Sequence, residues 1–395
     1  MTHDSVPVRR AAFAAAASSA LAEQVGSGFD RLPERRGWTD RAVWYQRPGE
    51  LLAVVGDHEE SATDRVLAHA LFHAGDRAVT LVLSQNWAYP TRFRQPWLTP
   101  NIKVWTHTSG VADFAPPLAR EATRDAVVGH PAEKPHRLPP AGAEWVRRLT
   151  EWATANPGLA DAHTSSMRGW SHDGQRVLTI GGKRTIAIKA GVDASKDKAL
   201  SVKVTGPMTS SEFDAITTRV ERGMADAKAK TYGRFEEHHL QVQLRGHPGT
   251  LLLEHPLLRE VPAWRPAGGS GGGERGRGFV DLAGLDSAGD IVLVETKLGQ
   301  DEMLVFQGLD YWIWATSPKN HQWLRERLYA ADDAKIRLLY AVAGKGASKP
   351  RLGRYELSHL DLLDPEIPWR VALLDDWDKA HAPASVVTEP RTKPD

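Results

Sequence analysis

The sequence predicts an α/β protein with two α/β domains and a smaller region between them. Residues 50–110 alternate between apolar runs typical of buried strands and a segment with helical spacing. In the last 150 residues a helix, a strand, a hairpin, a helix and another strand follow one another, and this order favours a mixed sheet flanked by helices. We therefore expect a small Rossmann-like α/β domain at the N-terminus and a mixed-sheet domain at the C-terminus.

Composition limits the chemistry that the chain can carry out. The chain has 395 residues, 41% hydrophobic and 25% charged, with a formal net charge of +1. This length can bury a large core and suggests two or three domains. The chain contains no cysteine, which excludes disulfide scaffolds and thiolate zinc sites. No apolar run in the sequence approaches the ~20 residues of a membrane span, so we expect no membrane span and a cytoplasmic location.

The first predicted domain covers residues 1–140. Its Ala-rich start favours a helix, because alanine is the best helix former, and a secretion signal is the alternative. The runs ELLAVVGD, AVTLVLS and IKVWTHT predict three strands of a small parallel sheet, with a helix between Ser61 and Gly75. A proline-rich segment between Phe114 and Pro140 predicts a connector.

Residues 141–232 form the predicted connecting region. AEWVRRLTEWATANPG predicts a helix, QRVLTIGGKRTIAIKAG a hairpin that turns at Gly181-Gly182, and KALSVKVTG a further strand. A long helix is expected to begin at Ser210 or Ser211, because a serine hydroxyl is a good N-cap acceptor.

The second predicted domain covers residues 233–380. EEHHLQVQLRGHPG predicts its first helix, LLREVPAW a strand, GFVDLAGLDSAGDIVLVETKLG a hairpin, EMLVFQGLDYWIWA a helix and KIRLLYAVAG a strand. Residues 381–395 are expected to be a disordered tail. The sequence contains no evident internal repeat.

Three charged residues interrupt the apolar strands of this hairpin. Side chains alternate faces along a strand, and a three-residue loop with Gly289 in the left-handed conformation is a common hairpin connection. The resulting register pairs Leu285 with Ile291, Ala283 with Leu293, and Asp281 with Glu295. It places the apolar side chains on one face and sets two carboxylates opposite each other, about 5 Å apart at Cβ. Lys297 lies on the same face, two residues beyond Glu295.

Two carboxylates so placed repel each other unless something compensates their charge. Magnesium suits them, because it binds one or two carboxylates together with water and phosphate oxygens. With Lys297 beside them, Asp281 and Glu295 fit phosphodiester hydrolysis, in which a metal activates water and the lysine orients or deprotonates it. The alternative is a solvated outer face on which the three charges form ordinary ion pairs.

The spacing of these residues resembles that of a known nuclease superfamily. Asp281 is followed, after thirteen residues, by Glu295-Thr296-Lys297, and this pattern is similar to the D…(D/E)-x-K signature of the PD-(D/E)XK nucleases. Val280 stands where the signature has its leading proline. The resemblance implies a restriction-endonuclease-like fold for the C-terminal domain. It also implies that Asp281 and Glu295 bind magnesium or manganese and that Lys297 positions the attacking water.

Two further features resemble branches of the same superfamily. Gln307 and Tyr311 lie one helical turn apart and are similar to the Q-x-x-x-Y motif of the RecB-like branch, which implies that they support the catalytic residues. The preceding helix and strand resemble those of NucS-like and Shedu-like relatives. That resemblance makes Glu237 the helix acid that helps to hold the metal, with Glu236 as the alternative. It covers roughly residues 233–345.

A Gly-rich segment, PAGGSGGGERGRG, separates the strand from the hairpin. Its arginines, Arg275 and Arg277, are candidates for contacts with nucleic-acid phosphates. The alternative is a flexible surface loop without such a role. The segment is not a nucleotide-binding fingerprint, because it neither leads from a strand into a helix nor carries a Lys-Ser/Thr pair.

The sequence therefore predicts a magnesium- or manganese-dependent endonuclease that acts on nucleic acid, DNA in the first place. Its N-terminal domain is expected to recognise a substrate, a signal, a partner protein or a second copy of the chain. This architecture resembles effectors of bacterial antiphage defence or restriction. The alternatives are a structure-specific nuclease of DNA repair or recombination, and a nucleic-acid-binding or assembly protein that keeps the fold without cleavage.

Overall fold

The structure is a computed structural model that describes most of the chain. It describes residues 17–33, 37–56, 62–108, 110–127, 140–161, 167–172, 175–181, 185–191, 200–231, 237–254, 257–266, 276, 278–344, 348–375, 377 and 385–388. In these residues three sheets flanked by helices form an α/β protein. No helix in the described part is long and apolar enough to cross a membrane. Arg275, Arg277 and Glu236 lie outside the described residues.

The first sheet has six strands in the order β1-β2-β3-β4-β5-β6. The strands are β1 (Asp30–Arg31), β2 (Val43–Arg47), β3 (Glu50–Val54), β4 (Ala78–Ser84), β5 (Ile102–Thr108) and β6 (Val111–Ala115). The helices around it are α1 (residues 17–25), α2 (Thr63–Ala74), α3 (Tyr89–Arg94) and α4 (Arg120–Asp125).

The three strands predicted for this part of the chain are confirmed, and β3, β4 and β5 are parallel neighbours. The Rossmann-like expectation is wrong, however. Antiparallel strands flank the parallel core on both sides, so the sheet is mixed. One reason is the tight turn at Pro48-Gly49, where Gly49 has a φ of 75° and returns the chain as an antiparallel hairpin.

The second sheet is antiparallel, with the order β11-β10-β9-β8-β7. Its strands are β7 (Ala160–Asp161), β8 (Met167–His172), β9 (Gln175–Gly181), β10 (Ala187–Ala190) and β11 (Leu200–Lys203). Two helices, α5 (Pro140–Ala155) and α6 (Ser210–Thr231), share a separate apolar core with it. The predicted helix, the antiparallel pairing of β9 with β10 and the further strand are confirmed.

The N-cap of α6 lies one residue before the predicted serines. The Thr209 hydroxyl accepts a hydrogen bond from the Glu212 amide at 3.2 Å, and the Glu212 carboxylate accepts one from the Thr209 amide at 2.9 Å. This reciprocal capping box satisfies two free amides at once, which a single serine cap does not.

The third sheet has six strands in the order β12-β13-β14-β15-β16-β17. They are β12 (Leu258–Ala263), β13 (Gly278–Leu285), β14 (Ile291–Leu298), β15 (Ile336–Ala343), β16 (Trp369–Asp375) and β17 (Ser385–Thr388). Its helices are α7 (Glu237–Gly246), α8 (Leu304–Thr316), α9 (Pro318–Leu328) and α10 (Arg354–Asp361). All elements predicted for residues 233–345 are present. β17 pairs with β16 inside the segment that was expected to be a disordered tail, where the β-branched run Val386–Thr388 favours a strand.

The predicted hairpin register is confirmed over its apolar part. Leu285 pairs with Ile291 and Ala283 with Leu293, and Gly289 has a φ of 80°. The paired ladder ends at Leu282 and Val294, one position before the charged residues. Asp281 and Glu295 therefore lie where the two strands stop exchanging backbone hydrogen bonds.

The first and third sheets are built in the same way. In both, the pairings across the sheet are antiparallel, antiparallel, parallel, parallel and antiparallel. In both, a helix precedes three sequential strands, and helices precede the fourth and fifth strands. Leu21 of α1 packs on the outer face of the first sheet as Leu240 of α7 packs on the third. The described parts of residues 17–115 and 237–388 thus share one topology, apart from the additional helix α9.

We call residues 17–115 the N-terminal copy of this fold and residues 237–388 the C-terminal copy. The two copies pack together through the helices on the sheet faces opposite α1 and α7, and the contacts between them are symmetric. Leu98, after α3, forms an antiparallel bridge with Leu363, after α10. Around this bridge the Thr99 amide donates to the Leu362 carbonyl at 2.8 Å, and the Asp364 amide donates to the Trp97 carbonyl at 3.0 Å. Equivalent positions meeting each other is the mark of a two-fold relation.

Side chains beside the bridge repeat this relation. Arg94 and His359 each lie four residues before the bridge residue of their own copy. Arg94 contacts Asp64 of α2 and Asp310 of α8. His359 packs on Phe306 of α8, with ring centroids 4.7 Å apart, and donates from Nε2 to a carbonyl of α2 at 2.9 Å. Each of the two therefore touches its own copy and the other, and one apolar core spans both.

Candidate active site

The candidate site lies at the carboxyl end of β14, where Glu295 and Lys297 face Asp281 of β13. The structure brings these three residues together with Glu237, the first residue of α7, whose carboxylate lies 3.3 Å from the Lys297 ammonium. The residues that the sequence singled out on these two strands and at this helix end therefore lie close together. The two motif residues on α8, Gln307 and Tyr311, lie beside this group.

Asp281 is held firmly by the neighbouring strand. Its Oδ2 accepts hydrogen bonds from the Thr296 amide at 2.7 Å and the Thr296 hydroxyl at 2.6 Å. The Gln241 amide of α7 donates in turn to the Thr296 oxygen at 3.3 Å. Burial raises the pKa of Asp281 to about 6 against the opposing effect of these hydrogen bonds, and the nearby Glu237 carboxylate adds to the rise.

Glu295 is the most unusual residue of the group. Its side chain is only 8% exposed, and within the described structure its buried Oε2 has no hydrogen-bond partner. Burial raises the pKa of Glu295 well above its usual range, and repulsion from Asp281 raises it further. A buried carboxylate oxygen without a donor is costly, and a bound cation would remove that cost.

Lys297 is surrounded by carboxylates. Its Nζ lies 3.3 Å from Glu237 and 3.2 Å from Asp301. Burial lowers the pKa of the Lys297 ammonium, but these two carboxylates outweigh burial and raise it above 10.5. These two contacts favour the charged form of Lys297, which acts as a hydrogen-bond donor and suits the predicted role of orienting water.

Asp301 was not singled out by the sequence reasoning. It lies four residues after Lys297, in the loop that leads into α8, and its Oδ1 accepts a hydrogen bond from the Met303 amide at 2.8 Å. The Asp301 amide donates to Glu356 of α10 at 2.6 Å. The position of Asp301 depends on these loop contacts, for which the sequence carries no periodic signal.

Tyr311 is buried against the first strand of the hairpin. Its hydroxyl accepts a hydrogen bond from the Phe279 amide at 3.2 Å, and burial, helped by the charge of Glu295, raises the pKa of the tyrosine. The guanidinium of Arg265 lies 5.7 Å from the Tyr311 ring centroid and lowers the pKa of Glu295. Tyr311 thus supports the strand that carries Asp281, and Arg265 is a cation near the site that the sequence did not reveal.

Close packing beneath Tyr311 requires a glycine at position 278. A Cβ at this position would lie 2.7 Å from the Tyr311 hydroxyl and 2.8 Å from the Arg265 Cδ. We expect Gly278→Ala to lower the free energy of unfolding by about 1–3 kcal/mol, the usual cost of overpacking, as measured by urea denaturation. Gly206→Ala is the matched control, since its Cβ would meet no described atom within 4 Å. Equal stability of the two variants would contradict this packing.

Gln307 faces a cavity of about 430 Å³ beside the site. Both copies line this cavity: α8 supplies Gln307, the segment after β12 supplies Arg265, and the N-terminal copy supplies Arg41 and Arg65. A second cavity of about 650 Å³ adjoins Asp301, and its lining includes Arg65, Arg351 and Arg354. Arginines of these cavities thus lie near the site, and Arg259 of β12 lies close enough to Asp281 to interact with its charge. The predicted Arg275 and Arg277 lie outside the described residues.

The carboxylates fit a hard cation such as magnesium or manganese. Asp281 and Glu295 could supply oxygen ligands, and a cation could bind at the unpartnered buried oxygen of Glu295. Within the described chain no three His, Asp or Glu side chains are grouped as a metal site. Glu237 is directed at Lys297 instead. Two carboxylates remain sufficient for magnesium, which keeps several water ligands.

Comparisons with models of protein families, with curated protein sequences and with solved structures gave no significant match for this chain.

Proposed function

We propose that the chain is a metal-dependent nuclease with a restriction-endonuclease-like C-terminal domain. The observation that carries this proposal is the pair Asp281 and Glu295 beside Lys297. The buried Glu295 carboxylate, which has an unpartnered oxygen, and the half-buried Asp281 carboxylate near it are unfavourable without a cation. A charged lysine beside them would stabilise the negative charge that develops on the transferred phosphoryl group during phosphodiester hydrolysis.

The chain's own groups would divide the chemistry as follows. Asp281 and Glu295 would hold magnesium or manganese, with Asp281 fixed in orientation by Thr296. A bound ion of this kind activates a water molecule and stabilises the charge on the leaving oxygen. Lys297 donates from Nζ to the attacking water or to a phosphate oxygen, and Glu237 and Asp301 keep it protonated and in place.

The hydrolysis itself exchanges one oxygen on phosphorus for another. The water oxygen forms a bond to phosphorus and gives up a proton to solvent, the bond from phosphorus to the leaving sugar oxygen breaks, and the leaving oxygen takes up a proton from solvent. Nucleic acid is the substrate class that suits the surroundings, because three arginines and one aspartate line the cavity of about 430 Å³ beside the site and guanidinium groups bind phosphates well. The intact set of two acids and a lysine favours cleavage over binding alone.

Lys297→Met tests the proposed chemistry. We expect wild-type protein to cleave DNA with magnesium or manganese and not with EDTA, and the variant to be slower by about 10²–10³-fold, the usual effect of losing one donor to a transition state. Initial rates are measured on plasmid, on single-stranded DNA and on RNA, which also identifies the preferred nucleic acid.

Lys189→Met is the matched control, because Lys189 is exposed on β10 of the middle sheet. Its rate should equal that of wild type. Cleavage that persists in Lys297→Met, or cleavage in EDTA, would refute the proposed chemistry. Binding of nucleic acid without metal and without cleavage would support the alternative that the chain is a nucleic-acid-binding protein.

A further inference from the structure

We propose that the N-terminal copy of the fold, residues 17–115, is a nuclease domain whose described residues hold no catalytic centre. The chain is then a dimer within one polypeptide that has a single active site and cuts one strand of a duplex per binding event. This inference rests on the proposed function. It goes beyond it by assigning a role to the N-terminal half and by specifying the product.

The hairpins of the two copies can be matched by their register. In the C-terminal copy Ala283 pairs with Leu293, and both side chains belong to the core between the copies. In the N-terminal copy the corresponding core pair is Trp44 with Ala53. In both copies the second member of the pair also faces a leucine of the next, parallel strand.

Counting outward from these pairs locates the missing centre. Two residues before Ala283 is Asp281, and two residues before Trp44 is Ala42. Two residues after Leu293 is Glu295, and two residues after Ala53 is Val55. The Val55 side chain is 1% exposed and belongs to the apolar core. The N-terminal copy therefore places two apolar side chains where the C-terminal copy has its carboxylates.

The motif residue Gln307 of α8 is also replaced at the corresponding position of α2 in the N-terminal copy. Asp310 and Ala68 correspond, since Arg94 binds the first and His359 donates to the carbonyl of the second. Three residues earlier in each helix stand Gln307 and Arg65. Both line the 430 Å³ cavity, so the Gln307 position of the N-terminal copy carries a cation that lines the same cavity as Gln307.

This exchange gives the N-terminal copy a function in binding. Arg65 reaches across to Glu302, just before α8, at 2.5 Å, while 57% of its side chain stays exposed. Arg41, one residue before Ala42, lines the same cavity. The inactive copy thus offers guanidinium groups at the position from which a second catalytic centre would act.

The consequence concerns the number of cuts. Cutting both strands in one binding event requires two centres, as in a symmetric dimer, whose interface brings equivalent surfaces together. Here the face between the copies is already occupied within one chain, through the bridge at Leu98 and Leu363. One chain therefore supplies one centre and one cut.

A supercoiled plasmid tests this directly, with protein at a molar ratio well below that of DNA. We expect supercoiled DNA to pass almost entirely into the nicked open circle before linear DNA appears, and linear DNA to follow only after a second, independent nick. Linear DNA that forms in constant proportion from the first turnover would overturn the inference while leaving the proposed function intact.

Metal stoichiometry gives a second readout that does not require cleavage. Titration of the full chain with manganese, followed by calorimetry and by electron paramagnetic resonance, should give one bound ion per chain. Asp281→Asn should lower that number to zero. An ion that still binds to Asp281→Asn would overturn the single centre, because it would have to be held elsewhere in the chain. Absence of both bound manganese and cleavage would instead refute the proposed function, and this inference with it.

Discussion

Replacing Asp281 by asparagine should stop cleavage and, at the same time, stabilise the metal-free protein. Cleavage should fall about 10³-fold, equivalent to ~4 kcal/mol of transition-state stabilisation, because a ligand to the metal is lost. The metal-free chain should gain up to about 3 kcal/mol at pH 8. This figure follows from the pKa of Asp281 at about 6 instead of 3.8, at 1.36 kcal/mol per unit. Asparagine keeps an oxygen acceptor for Thr296 but carries no charge.

The pH dependence gives the sign of this effect. Because the pKa of Asp281 is higher in the folded chain, the folded state binds more protons than the unfolded state between pH 3.8 and about 6. The Asp281 charge therefore lowers wild-type stability progressively as the pH rises through this window, and by a constant amount above it. The advantage of Asp281→Asn should be near zero at pH 3.8 and complete above pH 6, as measured by urea denaturation in EDTA.

Two controls separate charge repulsion from other effects. Manganese should stabilise the wild-type protein by mass action and leave Asp281→Asn unchanged. Asp290 lies in the same hairpin, but the variant Asp290→Asn should have the opposite effect on stability. The pKa of Asp290 is lowered despite burial, because the Lys335 amide and the Arg337 guanidinium donate to it. The Asp290→Asn variant should therefore be less stable than wild type and should retain cleavage. A metal-free Asp281→Asn no more stable than wild type would contradict the electrostatic account.

The geometry of the hairpin β13-β14 was predictable because two short-range rules fix it. Period-two alternation assigns each side chain to a face, and a three-residue loop with glycine fixes the register. Together they place Asp281, Glu295 and Lys297 on one face without knowledge of the rest of the fold. Asp301 and Arg265 could not be found in this way. They reach the site from the segments that follow β14 and β12, where positions depend on tertiary contacts such as those with Glu356 and Asp310.

The repeated fold was not predictable for a related reason. A fold is specified by which positions are apolar and where the chain turns, and many sequences satisfy the same pattern. The N-terminal copy closes its hairpin with Pro48-Gly49, the C-terminal copy with a three-residue loop, so the two sequences do not align by simple spacing. The charged residues that mark the C-terminal copy correspond to Ala42 and Val55, which carry no motif. Only the pairing registers and the bridge at Leu98 reveal the correspondence.

Replacing Arg94 by methionine should cause a large loss of stability, because this arginine joins the two copies. Its side chain is fully buried and binds Asp310 through two hydrogen bonds of 2.7 and 2.8 Å, and Asp64 at 2.6 Å. Removing one partner of a buried ion pair leaves an uncompensated charge and costs about 3–5 kcal/mol. Asp310 keeps only its 3.1 Å contact with Arg265 among the described ion pairs. We expect the urea midpoint to fall accordingly.

A double variant tests whether the uncompensated charge causes this loss. Arg94→Met with Asp310→Asn removes both charges, so it should recover part of the stability that Arg94→Met loses, and a double-mutant cycle gives the coupling energy. Arg147→Met is the control, because Arg147 forms an exposed pair with Glu151 on α5 and should change stability by at most about 0.5 kcal/mol. If Arg94→Met unfolds at the wild-type midpoint, this contact does not hold the copies together. If it unfolds early while a second transition remains at the wild-type midpoint, the affected copy unfolds on its own, and the relation between the halves is looser than the shared core implies.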